Sequence, residues 1–224
     1  MKPMTEQHLA TLRRHMVEVV DLHFDLAAEE IGKGAIDAQL REALLQVPRH
    51  LFVPPQLAAV AYHDGPLPIG FDKTISQPYI GALMLDLLEV RPGHKVLEVG
   101  TGYGYQAALL AELGAEVWTV EIVEEFAGEA SLRLQQLGYP AVHVRVGDGS
   151  RGWVEHAPFD RILVTAAARA APPALLDQLA PAGRIVAPIG PKDVQQLSVV
   201  TKSAAGEPQV REVIPVRFTQ LEIQ

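Results

Sequence analysis

KVLEVGTGYGY, residues 95–105, opens with an apolar run, Val96, Leu97 and Val99, of the kind found in strands buried on both faces. Three glycines follow at alternate positions, Gly100, Gly102 and Gly104. Without a Cβ, the backbone there turns tightly and comes close to a ligand. Tyr105 to Leu113 then reads as a helix closed by Gly114. Strand, glycine turn and helix make the first half of a nucleotide-binding α/β unit.

The spacing separates the candidate nucleotides. A dinucleotide fingerprint places Gly or Ala three residues after Gly102, and Tyr105 stands there instead. Glu98, inside the strand end, supplies an acid that suits a ligand carrying an ammonium group better than one carrying phosphates. The stretch resembles the first motif of the S-adenosylmethionine (SAM)-dependent methyltransferases.

Size and charge narrow the setting. At 224 residues, 48% hydrophobic and 21% charged, the chain has length and composition for one α/β domain with a modest extension. A net charge of −8 argues against a broad nucleic-acid surface. No apolar run reaches a membrane span and no secretory signal is evident, so a cytoplasmic protein is expected. With no cysteine there is no disulfide or thiolate metal site, and no metal is expected. Eight histidines are scattered; His8, His15 and His23 share one helix stripe and read as surface residues.

Working outward, Thr5 caps a helix running to about Leu26, and Asp37 caps a second that stops near Pro48. Residues 48–79, rich in Pro and Gly, read as a long ordered loop or small subdomain with a functional role. Ser76 or Gln77 caps the next helix, with Pro78 at its first position. Beyond the central strand, strands ending at Glu121, Asp148 and Val164 alternate with helices. A helix over residues 173–180 stops at Pro181-Ala182-Gly183, a fifth strand follows, and a hairpin turns around Ser203 to Pro208. The expected fold is a Rossmann-like α/β sheet, mostly parallel with an antiparallel C-terminal edge. Residues 1–75 form the helical extension and a substrate-side loop subdomain; residues 76–224 form the core of the same compact unit.

Ligands in such sheets bind beyond the carboxyl ends of the strands. Glu121 stands 17 residues past Gly104, placed to take both ribose hydroxyls. Gly147-Asp148-Gly149 offers an acid for an adenine amino group. Thr165, Ala166 and Ala167 are small, leaving room for a peptide-like substrate against exposed backbone. Ser76 lies at a helix N-terminus, where free N–H groups favour an anion.

The stretches PRHLFVP (48–54), AYHDGPLPIG (61–70), TISQPYIGALM (74–84), GDGSRGW (147–153) and FDRILVTAA (159–167) join the glycine loop in order and spacing. Together they resemble the protein-L-isoaspartate O-methyltransferases. The resemblance implies a seven-stranded sheet, SAM as methyl donor with S-adenosylhomocysteine as product, and Ser76 as the active-site serine. It further implies that Glu98, Gly100, Thr101, Gly102, Gly104, Glu121, Ile122, Asp148 and Gly149 hold SAM, flanked by Thr74, Ile75 and Gln77. Thr165, Ala166 and Ala167 then face the substrate. The implied partners are isoaspartyl-containing proteins and peptides, met by a monomer with no nucleic-acid or membrane partner. Two departures from the family pattern stand out: Lys73 where Gln is usual, and the ending VRFTQLEIQ. Competing readings are a carboxylate methyltransferase serving one dedicated partner peptide, and a SAM-binding module without turnover. A NAD-linked oxidoreductase is disfavoured by Tyr105.

Overall fold

The computed structural model describes residues 4–203 and 205–224. Thr5 caps the first helix as its side chain accepts the His8 N–H, and the helix runs over Glu6–Leu26 (α1). Met16, Val17, Val20 and Phe24 bury its inner face. A single turn at Ala28–Ile31 (α2) ends on Gly32 in the left-handed conformation. Asp37 accepts the Gln39 and Leu40 N–H groups to start Ala38–Gln46 (α3). Expected caps and boundaries are met in α1 and α3. The histidine stripe is not wholly a surface one: His8 and His15 are exposed, but His23 stacks on Tyr79 with ring centres 4.6 Å apart.

Residues 48–79 are more ordered than their composition suggests. Two 3-10 turns, Arg49–Leu51 and Pro55–Val60, lead into an antiparallel pair, Leu67–Gly70 (β1) and Lys73–Ile75 (β2). The hairpin turn needs positive φ at Phe71 and Asp72, +48° and +55°. Pro78–Leu88 (α4) follows, with ten of its eleven residues buried between the N-terminal helices and the sheet. Its N-cap is Gln77, which makes no capping side-chain bond. Asp64 does that job from the preceding loop, accepting the Tyr79 N–H at 3.4 Å. The expected Ser76 cap is therefore replaced by an acid fourteen positions back from α4's first residue, a partner that only the tertiary fold supplies.

The sheet is built on Lys95–Val99 (β3), which pairs in parallel with Glu116–Glu121 (β4) and Phe159–Val164 (β6). His143–Val146 (β5) extends it beyond β4 and Leu179–Ile189 (β7) beyond β6, both in parallel. Gln195–Lys202 (β8) and Pro208–Val216 (β9) add the antiparallel edge, so the order is β5-β4-β3-β6-β7-β8-β9. Tyr105–Glu112 (α5), Glu124–Gln136 (α6) and Pro173–Asp177 (α7) fill the crossovers. Part of the hairpin turn expected around Ser203 to Pro208, Ala204, lies outside the described residues. Leu9, Phe24, Leu44 and Phe52 share one apolar cluster with Leu109, Val186 and Leu197, so extension and sheet bury each other.

Two expected boundaries are wrong: β5 ends at Val146 rather than Asp148, and the helix before β7 is shorter than expected. The helix over residues 173–180 ends at Asp177, and Leu179 is already a strand residue opposite Phe159. Gln178 makes the switch: its carbonyl accepts the Phe159 N–H at 2.8 Å and draws the chain into the sheet. Pro181-Ala182-Gly183 is passed as an irregularity within β7, with Ala182 at φ +59°, rather than as a break before it.

Gln178 also ties the fold to the ligand end of the sheet. Its buried amide accepts the Trp153 N–H at 2.7 Å and donates to the Arg151 carbonyl at 2.8 Å, bracing the turn after Asp148. Gln178→Leu keeps the volume but strands both main-chain groups, so stability should fall by about 1–3 kcal/mol. A urea melt showing an unchanged midpoint would remove this role.

Candidate active site

A cavity of about 420 Å³ opens at the carboxyl ends of β3, β4 and β6. Its walls carry Gly100 and Gly102 from the glycine loop, Glu121 and Ile122 from the end of β4, and Gly149, Thr165 and Ala166 beyond. Thr74, Ser76 and Gln77 close it from the other side. Predicted residues from five separate segments thus meet around one space.

Glu121 organises the floor. One carboxylate oxygen accepts the Gly102 N–H at 2.8 Å and the other the Val123 N–H at 3.0 Å. The acid is 5% exposed and still lines the cavity, so each oxygen keeps a lone pair for a ligand hydroxyl. Gly100, at φ +96°, packs so closely that a Cβ there would stand 2.3 Å from Thr165 Oγ1. The Thr165 hydroxyl donates to the main-chain carbonyls of this turn, 3.0 Å to Val99 and 2.9 Å to Gly100. Its proton is therefore committed to the loop.

Glu98 stands elsewhere than expected. It is fully buried, absent from the cavity wall, and accepts the Thr119 hydroxyl at 2.6 Å. The Thr119 hydroxyl also lies 2.6 Å from that of Thr101, so Glu98, Thr119 and Thr101 form one hydrogen-bonded chain. Burial pushes the Glu98 carboxyl up to about 8, the Thr119 bond opposes this, and the Glu121 charge adds to it. Near neutrality Glu98 is uncharged. The expected charged partner for an ammonium group is thus a neutral prop behind the loop, reaching Thr101 through one hydroxyl. Thr101, Gly104 and Ile75 likewise sit behind the wall, with Gly104 as the αL cap of α5.

Asp148, just past β5, also lies behind the lining surface. Burial alone would raise its carboxyl, but the Ser150 and Gln224 hydrogen bonds and the Arg151 charge hold it below the ordinary range. One oxygen accepts the Ser150 N–H at 2.9 Å and the other the Gln224 N–H at 3.1 Å.

That last contact belongs to a wall the sequence reading missed. Residues 215–222 line the cavity along one side. The buried side chain of Gln195 accepts the Phe218 N–H at 2.8 Å. Ala167 donates to the Thr219 carbonyl and accepts the Leu221 N–H, both at 2.8 Å. The backbone at Ala167 is therefore paired with this chain's own C-terminal segment and is not open to a peptide. Lys73 closes the wall through an ion pair to Glu222. The two departures from the family pattern are thus partners. Phe126 of α6 also enters the wall, with no distinguishing signal in its surroundings in sequence.

Ser76 is half-buried at the cavity edge, with its neighbours tightly held. Its carbonyl accepts Arg49 Nη2 at 2.7 Å. Gln77 Nε2 and His23 Nε2 each lie 2.8 Å from Asp64 Oδ2. The α4 terminus offers fewer free donors than expected, because Pro78 has no N–H and Asp64 takes that of Tyr79. The α4 cap makes no use of the serine hydroxyl, and Ser76 lines the cavity.

Known proteins resemble this chain in sequence and fold. The profile of the protein-L-isoaspartate(D-aspartate) O-methyltransferase family matches residues 23–223. The chain is 47% identical, over 98% of its length and 93% of the relative's, to protein-L-isoaspartate O-methyltransferase 1 of a Polaromonas species. It is 52% identical, over 93% of its length and 85% of the relative's, to protein-L-isoaspartate O-methyltransferase 2 of Syntrophobacter fumaroxidans. A solved protein-L-isoaspartate O-methyltransferase superimposes with a TM-score of 0.79 at 26% identity, covering 93% of this chain and 65% of that one. A Plasmodium falciparum protein described as a putative protein-L-isoaspartate O-methyltransferase, solved with S-adenosyl-L-homocysteine, gives 0.72 at 25% identity over 83% and 91%.

The two acids of the glycine loop should separate experimentally. Glu121→Ala removes a wall carboxylate and should weaken S-adenosylhomocysteine binding by about 1.5–3 kcal/mol in calorimetry. Glu98, with its folded pKa above its unfolded value, binds more protons folded than unfolded between about 4.5 and about 8. Wild-type stability should therefore fall with rising pH across that window, and Glu98→Gln should flatten the fall. Parallel pH profiles for the two proteins would contradict a buried neutral Glu98.

Proposed function

Because this chain belongs to the protein-L-isoaspartate(D-aspartate) O-methyltransferase family, we infer that its pocket methylates the free α-carboxylate of isoaspartyl residues, with SAM as donor. The observation that carries the reading is the meeting of Glu121, the glycine loop and Ser76 around one cavity. The residues fit the cofactor: Glu121 keeps lone pairs for two hydroxyls, and at Gly100 even a methyl group would collide with Thr165. Glu121 and Ile122 would hold the ribose, Asp148 and Gly149 the adenine, and Gly100 and Gly102 the aminoacyl end beside Thr74 and Gln77. SAM supplies, when bound, an electrophilic methyl group on a sulfonium.

The chain's own residues have a limited task. An isoaspartyl residue exposes a main-chain α-carboxylate, ionised near pH 7, so no general base is required. Ser76 holds that carboxylate in line with the methyl group, and the C-terminal segment with Lys73 keeps water out. Positioning of this kind is worth about 7–11 kcal/mol. Thr165 and Ala166 shape the floor beneath the substrate. The methyl ester then closes to a succinimide, losing methanol, and reopens in part as normal aspartate, which begins repair. The substrates are isoaspartyl-containing proteins and peptides, and no feature of the site favours a single dedicated partner. We read the protein as a cytoplasmic monomer without nucleic-acid or membrane partners. Its charge of −8 supports the reading, and among the described residues no helix is long and apolar enough to cross a membrane.

Labelled methyl transfer from SAM to an isoaspartyl peptide and to its aspartyl twin tests the function directly. Only the first should be methylated, and equal labelling would overturn it. Ser76→Ala should leave the melting temperature and S-adenosylhomocysteine affinity nearly unchanged, because Asp64 provides the cap. Turnover should fall by about tenfold to a thousandfold, as when one preorganised donor is lost. A folded variant with near-normal turnover would take the serine out of the chemistry.

A further inference from the structure

Arg49 is 1% exposed, among the largest fully buried side chains of the protein. Its guanidinium lies 4.9 Å from the centre of the Tyr105 ring. Nε donates to the Ala61 carbonyl at 2.8 Å and Nη2 to the Ser76 carbonyl at 2.7 Å. Among the described residues neither bond goes to a carboxylate. Burying a guanidinium without a direct ion-pair partner is costly, and an apolar side chain of similar volume would fill the space more cheaply. Burial pulls its pKa down, while Tyr105 and Asp64 pull it back up, and arginine stays protonated throughout the working range.

The location gives this charge a use. Asp64 caps α4 next to Ser76, and its negative charge repels any anion brought to the serine. Arg49 holds the Ser76 carbonyl at 2.7 Å, and His23 contacts Asp64 at 2.8 Å. A fixed cation one residue's width from the serine offsets Asp64 inside a medium of low dielectric. The rigid guanidinium fork also spans two segments, joining the 3-10 turn before Tyr62 to the end of β2. It thereby sets the direction of the Ser76 main chain, and with it the hydroxyl.

We propose that Arg49 is a positioning residue for the substrate carboxylate, aiming Ser76 through its carbonyl and supplying the buried positive charge that lets an anion dock beside Asp64. The inference rests on the isoaspartyl-carboxylate reading of the same site. Arg49 does not touch the substrate. Its effect passes through Ser76 and through the local field, and it should appear in substrate capture rather than in cofactor binding.

The test uses the full chain as wild type, Arg49→Lys and Arg49→Gln, alone and combined with Ser76→Ala. Folded fraction is counted by S-adenosylhomocysteine calorimetry, and KM and kcat are measured with one isoaspartyl peptide. Arg49→Lys keeps the charge and loses the fork, so KM should rise by about tenfold to a hundredfold with cofactor affinity unchanged. Arg49→Gln should be worse than Lys, and the KM penalty of either should shrink in the Ser76→Ala background. Should Arg49→Gln not fold, the Lys pair alone decides. A normal KM, or a penalty that simply adds to that of Ser76→Ala, would show Arg49 to be structural and overturn the proposal. A wild type that leaves the isoaspartyl peptide unmethylated would refute the functional reading, and this inference with it.

Discussion

The carboxylate of Glu121 is the constraint on which the ligand end of this protein depends. It bonds the glycine loop after β3 and the chain leaving β4, so two strand ends are held at one height. Opposite it, Thr165 presses its hydroxyl against the Gly100 turn from β6. The loop is gripped from both sides of β3, and only a residue without a Cβ fits between. Preorganisation of this sort is what a methyl transfer needs, since the reaction asks for alignment more than for acid–base chemistry.

The second organising feature is the bracket around Ser76. Arg49 holds its carbonyl and Asp64 holds the side chain that follows, and both come from residues 48–79. That segment, which composition suggests is a long ordered loop or small subdomain, is a scaffold of two 3-10 turns and a small hairpin. Its role explains why so much chain precedes the nucleotide strand. The N-terminal helices lie beneath it and share one apolar cluster with the sheet, so the bracket stands on a packed base.

The C-terminal segment completes the enclosure. It pairs with Ala167, anchors on Gln195 and closes the cavity with groups 76 residues in sequence from Asp148 and 149 from Lys73. Lys73 and the ending that carries Glu222 each stand out in sequence, but nothing there shows that they meet. Together they form a clasp across the mouth, and a departure from the family pattern at one end has its counterpart at the other.

Local order along the chain determined most of the architecture. The Thr5 and Asp37 caps, the period of α1, the strand endings at Glu121 and Val164, and the glycine spacing after β3 are decided by residues within a turn of one another. The same spacing pointed to the nucleotide class, because Tyr105 leaves no room for a dinucleotide fingerprint. Tertiary structure alone decided which acids carry charge and which groups are already taken. Glu98 and Glu121 are both acids near strand ends on one face of the sheet, yet Glu98 pairs with Thr119, two positions inside Glu121, so burial neutralises it while Glu121 reaches the cavity. Ser76 was freed from capping by Asp64, and the backbone of Ala167 was occupied by Thr219 and Leu221. Each outcome turns on a partner far along the chain, and desolvation or hydrogen bonding by such a partner leaves no periodic trace in sequence.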